Sequence, residues 1–198
     1  MVDETHKDKR ASRRRRAWGK RNAGGVAIRK WLQNHCRYTM IASFNINGFL
    51  KSSVGIYLRD EISDEGAAGT VDREVFVKWV EKRLCPVLGN YFKGEKNSLV
   101  IMDNASTHMC WEVVELIEKA GALLLYAAPY SPDLSPIEYG CLVYKLQLKR
   151  YAKDFHPDDW MSLHFKALMT VSHDTAIKEF RKCQIPFSEN VRNKINTL

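Results

Sequence analysis

The pattern of hydrophobic and polar positions predicts a β-hairpin in the first third of the chain. Tyr38–Ile46 is rich in β-branched and aromatic residues and is typical of a strand. Asn47 and Gly48 form a hairpin turn signal, and Ser53–Leu58 supplies the returning strand. Residues 59–70 are polar and contain glycine, which predicts a loop.

A helix is predicted after this loop. Asp72 can cap it, and Pro86 marks its end. Apolar residues recur between them at the i, i+3, i+4 spacing of a helix with one buried face. They are Val75, Phe76, Trp79, Val80 and Leu84.

The next stretch predicts a strand, a helix and a second strand. Ser98–Met102 is a short, continuous apolar run, as in a central strand covered on both faces. Ser106 or Thr107 can cap a helix that runs through Ala120, and Leu123–Tyr126 is the following strand. This order predicts parallel strands joined by a helix.

The last third is predicted to be helical. Ser135, Pro136 and Glu138 occupy the N-cap, N1 and N3 positions of a helix that follows a proline-containing loop. Two amphipathic patterns follow, near residues 158–171 and 174–183. The whole order, a hairpin that leads into a parallel core with helices, predicts a mixed α/β fold.

Charge adds one feature to this picture. The chain has 198 residues and a net charge of +8. Between Lys7 and Arg21 lie nine basic residues and one acidic residue, so this segment accounts for the whole excess of positive charge. Such a run indicates phosphate binding, a nuclear import signal or a solvated arm, and Trp18 and Gly19 within it weigh against a purely disordered arm.

Cysteine usage and hydropathy exclude other classes of protein. The five cysteines are odd in number, far apart and without a C-x-x-C pair, which favours reduced thiols over a disulfide framework or a zinc ribbon. No apolar run approaches the roughly 20 residues of a membrane span, and a charged N-terminus predicts no signal peptide. The cysteines are Cys36, Cys85, Cys110, Cys141 and Cys183.

Two acids stand where chemistry is often found in such folds. Asp103 ends the central strand, and Glu138 begins a helix after the next strand. Converging carboxylates are stabilised by a cation, and hard oxygen ligands suit Mg²⁺ or Mn²⁺. Glu138 can equally complete a capping box, and Asp103 can simply end a strand in a turn. Spacing and periodicity leave these alternatives open.

A third acid, Asp3, lies at the start of the chain. Only Met1 and Val2 precede it, which is too few for an ordinary strand of about five or six residues. The residues alone therefore favour a ragged terminus.

Two segments resemble the second and third acidic motifs of Tc/mariner-type DDE transposases and their bacterial insertion-sequence relatives. They are Asp103–His108 (DNASTH) and Pro129–Glu138 (PYSPDLSPIE). Between Asp103 and Glu138 lie 34 residues, a spacing that this superfamily uses. Lys145 matches a lysine often found on the helix of the third motif.

The resemblance implies a ribonuclease H-like α/β fold, a mixed sheet flanked by helices. It makes Asp3 the first acid of the family, on a strand that the start of the chain truncates. It implies a core over residues 1–150 and a helical extension of the same domain over 151–198. Asp3, Asp103 and Glu138 would be the catalytic residues and would hold two Mg²⁺ or Mn²⁺ ions.

The sequence departs from the family pattern at three points. Ser135 replaces the usual asparagine and Cys141 replaces a tryptophan or phenylalanine. The helix-turn-helix modules with which the family reads transposon ends have no counterpart. We therefore expect a catalytic core that lacks its specificity domain.

DNA contacts are expected from the basic segment, from Lys145 and from His108. His108 could instead support the metal site, or make an ordinary hydrogen bond near the start of a helix. In the basic segment the candidates are Arg13, Arg14, Arg15, Arg16, Lys20 and Arg21.

The leading hypothesis is a transposase core that cleaves and joins DNA strands. The alternatives are a remnant that binds nucleic acid without chemistry, and a ribonuclease H-like nuclease that acts on RNA. The expected partners are transposon-end and target DNA and a second copy of the chain, with no membrane. The expected location is the nucleus in a eukaryote and otherwise the cytoplasm.

Overall fold

A computed structural model describes residues 1–7, 38–58, 71–129, 131–151 and 159–185. The DNA-binding candidates between Arg13 and Arg21 lie outside these residues. Six strands are described: β1 (Val2–Lys7), β2 (Tyr38–Asn45), β3 (Gly48–Phe49), β4 (Gly55–Leu58), β5 (Leu99–Met102) and β6 (Leu123–Tyr126). Five α-helices accompany them: α1 (Arg73–Trp79), α2 (Trp111–Lys119), α3 (Pro136–Tyr151), α4 (Trp160–Met169) and α5 (His173–Lys182).

The strands form an antiparallel group and a parallel pair. β2 pairs with β1 on one side and with β4 on the other. β3 returns from β2 after a turn at Ile46 and Asn47, and its first residue, Gly48, has a φ of 100°. β5 and β6 are parallel, as predicted. β1 also packs against β5, which brings the two groups of strands together.

The first strand differs from the expectation. Val2–Lys7 forms six residues of strand, paired with β2 from Val2 opposite Ser43 to Lys7 opposite Tyr38. A ragged terminus is therefore wrong, because these residues form a strand of ordinary length. Its own sequence, VDETHK, is polar. Pairing with the buried β2, and not its own hydrophobicity, keeps it extended.

Helices cover both faces of β2, because successive side chains of a strand point to opposite sides. Met40, Ala42 and Phe44 pack with α3, α4 and α5 in one apolar cluster. Ile41 faces the second cluster, with Val2 of β1 and residues of α1, α2 and β5. The site described below lies beside β1, between these two clusters.

Two helix starts test the capping predictions. Asp72 caps α1, since its carboxylate accepts a hydrogen bond from the Val75 N–H at 2.9 Å. α2 begins later than predicted, with Cys110 as the N-cap residue in place of Ser106 or Thr107. The intervening residues form a turn in which the N–H groups of His108 and Met109 donate to the Ala105 carbonyl oxygen.

Three other boundaries can be compared. The returning strand begins at Gly55, after a 3₁₀ turn over Lys51–Ser53, and not at Ser53. The two C-terminal helices, α4 and α5, lie where the amphipathic patterns predicted them. Within the described ranges, no helix has the length and apolar character needed to cross a membrane.

Replacing Gly140 with alanine should destabilise the protein by about 1–2 kcal/mol. A Cβ at Gly140 of α3 would lie 2.9 Å and 3.0 Å from two ring carbons of the buried Phe44. Overpacking typically costs about 1–3 kcal/mol and outweighs the gain of about 1 kcal/mol in helix propensity. Urea denaturation measures the change.

The matched control is the same change in a Phe44→Leu background, where the smaller side chain leaves room for the methyl group. There Gly140→Ala should be neutral or stabilising. Equal destabilisation in both backgrounds would contradict the proposed contact.

Candidate active site

Asp3 lies second on β1 and is half-buried. Its carboxylate accepts a hydrogen bond from the Glu4 N–H at 2.7 Å. Burial, first of all, and the negative charges of Glu138, Glu4 and Asp103 together raise the pKa of Asp3 to about 7, against the lowering effect of that hydrogen bond. The structure therefore brings Glu138 and Asp103 within electrostatic reach of Asp3.

Asp103 follows the last residue of β5, and its side chain is 61% exposed. Its Oδ1 accepts a hydrogen bond from the Ala105 N–H at 3.0 Å. The same oxygen lies 2.5 Å from Nδ1 of His108, which is ion-pair distance although the angle is not that of a hydrogen bond. Asp103 thus ends a strand in a turn and also belongs to a cluster of charged groups.

Glu138 is the third residue of α3 and is exposed. The recorded hydrogen bond with Ser135 joins backbone atoms, from the Glu138 N–H to the Ser135 carbonyl oxygen at 3.2 Å. The carboxylate is therefore left for the site, where its charge raises the pKa of Asp3. The capping-box interpretation finds no support in this contact.

His108 is completely buried and stands between two carboxylates. Its Nε2 lies 3.1 Å from Oε2 of Glu4, and its Nδ1 contacts Asp103. The ring also packs on Phe76, with 4.5 Å between centroids. The buried imidazole offers no surface to DNA in this structure, and the DNA contact of His108 stays a prediction. The alternative of support beside the acids fits the geometry.

The ionisation of His108 follows from these neighbours. Burial lowers the pKa of His108, but the hydrogen bond to Glu4 and the charges of Glu4 and Asp103 outweigh it, so the net shift is upward. Both ring nitrogens lie near carboxylate oxygens, and these neighbours favour the protonated form of the imidazole.

Glu4 is the residue that sequence reasoning missed. The resemblance assigned a role to Asp3 and none to the residue that follows it. Adjacent residues of a strand point to opposite faces, so Glu4 reaches His108 while Asp3 faces the other acids. The alternation of side chains along a strand could have revealed the role of Glu4, but the polar sequence of β1 does not predict a strand.

Cys141 and Lys145 lie on α3 beneath the acids. The pKa of the Cys141 thiol is raised to about 12, chiefly by burial and also by the charge of Asp3, while the charge of Lys145 lowers it. The thiol is thus uncharged and inert, in the place of the family's usual aromatic residue. Lys145 is half-buried on the turn that follows Glu138 and Cys141.

The donor set suits a divalent cation. Among the residues that the structure describes, no group of three or more His, Cys, Asp or Glu side chains is close enough to hold a metal as it stands. Three carboxylates nevertheless approach from three elements, and the raised pKa of Asp3 signals negative charge without a counterion nearby. Carboxylate oxygens are the ligands that Mg²⁺ and Mn²⁺ prefer.

The family model described as "DDE superfamily endonuclease" matches residues 1–157. The chain belongs to the DDE superfamily of endonucleases. This confirms the family predicted from the acidic motifs at the level of the superfamily. A search of curated proteins finds no match.

Solved structures of the Mos1 transposase share the fold. The strand transfer complex matches with a TM-score of 0.53 and 14% identity, over 94% of this chain and 55% of that one. The paired-end complex with the left transposon end matches with a TM-score of 0.51 and 15% identity, over 94% of this chain and 55% of that one. The mariner paired-end complex with Mn matches with a TM-score of 0.52 and 14% identity, over 94% of this chain and 56% of that one.

These likenesses confirm the predicted ribonuclease H-like α/β fold. The chain spans about half the length of the solved transposase chains that it matches. At this level of identity the agreement concerns the fold. The roles of Asp3, Asp103 and Glu138 remain predictions.

Replacing Asp3 with asparagine should stabilise the metal-free protein at alkaline pH. The folded-state pKa of about 7 exceeds the usual 3.8, so the contribution of Asp3 is complete below pH 3.8 and is lost as the pH rises through 7. Above pH 8 the variant should gain roughly 2–4 kcal/mol over the wild type, with no difference below pH 4. Urea denaturation in EDTA measures this pH dependence.

Asp174→Asn is the matched control, because Asp174 is exposed on α5 and its replacement should leave the pH dependence unchanged. A wild-type stability that stays level between pH 5 and pH 9 would contradict the buried, unpaired carboxylate.

Proposed function

We propose that this chain is the catalytic core of a DDE transposase, which cleaves DNA strands and joins them to a target. The observation that carries the proposal is the approach of three acids from β1, from the end of β5 and from the start of α3, in a fold of this family. Asp3, Asp103 and Glu138 would hold two Mg²⁺ or Mn²⁺ ions. The Mn-containing complex of Mos1 supports a divalent metal.

The proposed chemistry is phosphoryl transfer to two successive nucleophiles. Water first attacks a phosphodiester and frees a 3′-hydroxyl, which then attacks a phosphodiester of the target. The bound ions would activate the nucleophile and stabilise the leaving oxygen. Asp3 is fixed on a paired strand, whereas Asp103 and Glu138 are exposed, which leaves the site open to a substrate as large as a duplex.

The basic segment would hold the DNA backbone. Arg13–Arg16, Lys20 and Arg21 would contact phosphates through their charge, and such contacts are independent of sequence. Lys145, on the same helix as Glu138, would add a phosphate contact near the acids. The neighbouring Mos1 structures are complexes with transposon ends, and they support DNA as the substrate.

The partners and the location follow from the same proposal. A transposase joins two transposon ends, so a homodimer with one core at each end is the expected assembly. The paired-end complexes of Mos1 support such an arrangement. The protein would act where the genome is, in the nucleus of a eukaryote and otherwise in the cytoplasm.

Asp103→Asn and Glu138→Gln should each abolish metal-dependent nicking of supercoiled DNA. Loss of one ligand carboxylate should lower the rate by about 10³-fold or more, by analogy with the loss of one strong transition-state contact. The control is Asp174→Asn, which also changes an exposed acid in the first turn of a helix. Gel separation of nicked from supercoiled plasmid measures the rate.

Nicking that persists in Asp103→Asn would refute the proposal. DNA binding without nicking by the wild type would favour the inactive remnant. Cleavage of an RNA–DNA hybrid but not of DNA would favour the ribonuclease.

Replacing Arg13–Arg16 with glutamine should weaken DNA binding and reduce its salt dependence. Each phosphate contact contributes about 0.9 to the slope of log K against log salt concentration, so up to four lost contacts reduce the slope by up to about 3.6. Fluorescence anisotropy of labelled duplexes at 50–300 mM salt measures the slope, and binding should fall alike for unrelated sequences.

Lys93→Gln with Lys96→Gln is the control. These exposed lysines precede β5 and so lie at the opposite end of that strand from Asp103. An unchanged slope in the arginine variant would exclude the basic segment from DNA binding.

A further inference from the structure

We propose that Glu4 is a positioning residue of the metal site, and that it acts on Asp103 through His108. The inference rests on the proposed function, because it concerns the carboxylate that would bind the cation. It assigns a task to an acid that neither motif includes. It also explains why a histidine is buried beside two exposed or partly exposed carboxylates.

The His108 ring is fixed by its surroundings. It is completely buried, its Nε2 is 3.1 Å from Oε2 of Glu4, and it packs on Phe76. With the ring plane set by Phe76 and one nitrogen held by Glu4, the direction of the opposite nitrogen is set as well. That nitrogen, Nδ1, contacts Asp103.

Asp103 needs such a partner. Its side chain is 61% exposed, whereas the Glu4 side chain is 15% exposed. A carboxylate this exposed on a loop is otherwise free to rotate. Its two recorded contacts, from the Ala105 N–H and from His108, are both to Oδ1. They fix the orientation of the group and leave the lone pairs of Oδ2 for a cation.

The loop that carries Asp103 has independent supports. The Tyr126 hydroxyl donates to the His108 carbonyl oxygen at 3.1 Å, and the Asn104 side chain donates to the Ala127 carbonyl oxygen at 3.1 Å. These bonds tie the loop to β6 and its continuation without using Glu4. Removing the Glu4 carboxylate should therefore change the orientation of Asp103 more than the fold of the loop.

Because Glu4 lies on β1, this strand affects the positions of two of the three acids. Asp3 and Glu4 are neighbours on a strand paired along its whole length with β2. One strand thus carries the first acid directly and orients the second through His108. The spacing of Asp3 and Asp103 then depends on β1, and not only on the end of β5.

The test compares Glu4→Ala with Glu4→Gln. Both remove the charge, but glutamine keeps an oxygen that can accept the hydrogen bond from Nε2. Loss of a residue that orients a ligand typically weakens metal binding by about 10–100-fold, and we expect that loss in Glu4→Ala with a smaller one in Glu4→Gln. Calorimetric titration with Mn²⁺, without DNA, measures the affinity.

Glu118→Gln is the control for charge, because Glu118 is exposed on α2 and lies outside the cluster. Urea denaturation in EDTA should show that Glu4→Gln remains folded, and excess Mn²⁺ should restore nicking to both Glu4 variants. Equal losses of affinity in Glu4→Ala and Glu4→Gln would mean that only charge matters and would overturn the proposal. Wild-type affinity in Glu4→Ala would overturn it as well.

Asp103→Ala separates this result from a failure of the proposed function. If Asp103→Ala binds Mn²⁺ as the wild type does, or the wild type does not bind it, the metal site itself is refuted. If Asp103→Ala loses binding and Glu4→Ala retains it, only the role of Glu4 is refuted.

Discussion

The contact on which the site depends is the buried His108 between Glu4 and Asp103. A buried imidazole needs polar partners, and here a carboxylate lies beside each ring nitrogen. Because one anion belongs to β1 and the other follows β5, the pair of contacts joins two strands that lie far apart in the sequence. The end of the sheet at the candidate site is thereby held by these polar contacts, whereas its centre is held by apolar packing.

The apolar packing has to oppose a repulsion that the same fold creates. Asp3 is half-buried and its pKa is raised to about 7, so an ionised site without a cation destabilises the folded state near neutral pH and above. The cluster around Met40 and Phe44 and the cluster around Ile41 and Phe76 supply the opposing free energy. A cation would relieve the repulsion, so stability and metal binding are coupled in this arrangement.

The sequence predicted the elements whose own residues determine them. The hairpin at Gly48, the cap at Asp72, the apolar β5 and the start of α3 all follow from local patterns. β1 was not predictable in this way, because its polar residues become a strand only by pairing with β2. The start of α2 was misplaced because the residues after Asp103 form a turn that serves His108, and Glu4 was overlooked because its partner lies 104 residues away. Local signals cannot carry such long-range pairings.

The acids of the site differ in rigidity and in exposure: Asp3 lies on a paired strand, whereas Asp103 and Glu138 are exposed. Asp3 cannot move without breaking the β1–β2 pairing, so it can serve as the fixed reference for the other two. Glu138 is set at the start of a helix whose Gly140 lies directly against Phe44, which fixes how close α3 comes to the sheet. Asp103 stands just after a strand, and the buried His108 lies beside it and holds its orientation. A site assembled in this way can remain open to a bulky duplex, because its precision comes from the strand and the buried histidine and not from enclosure.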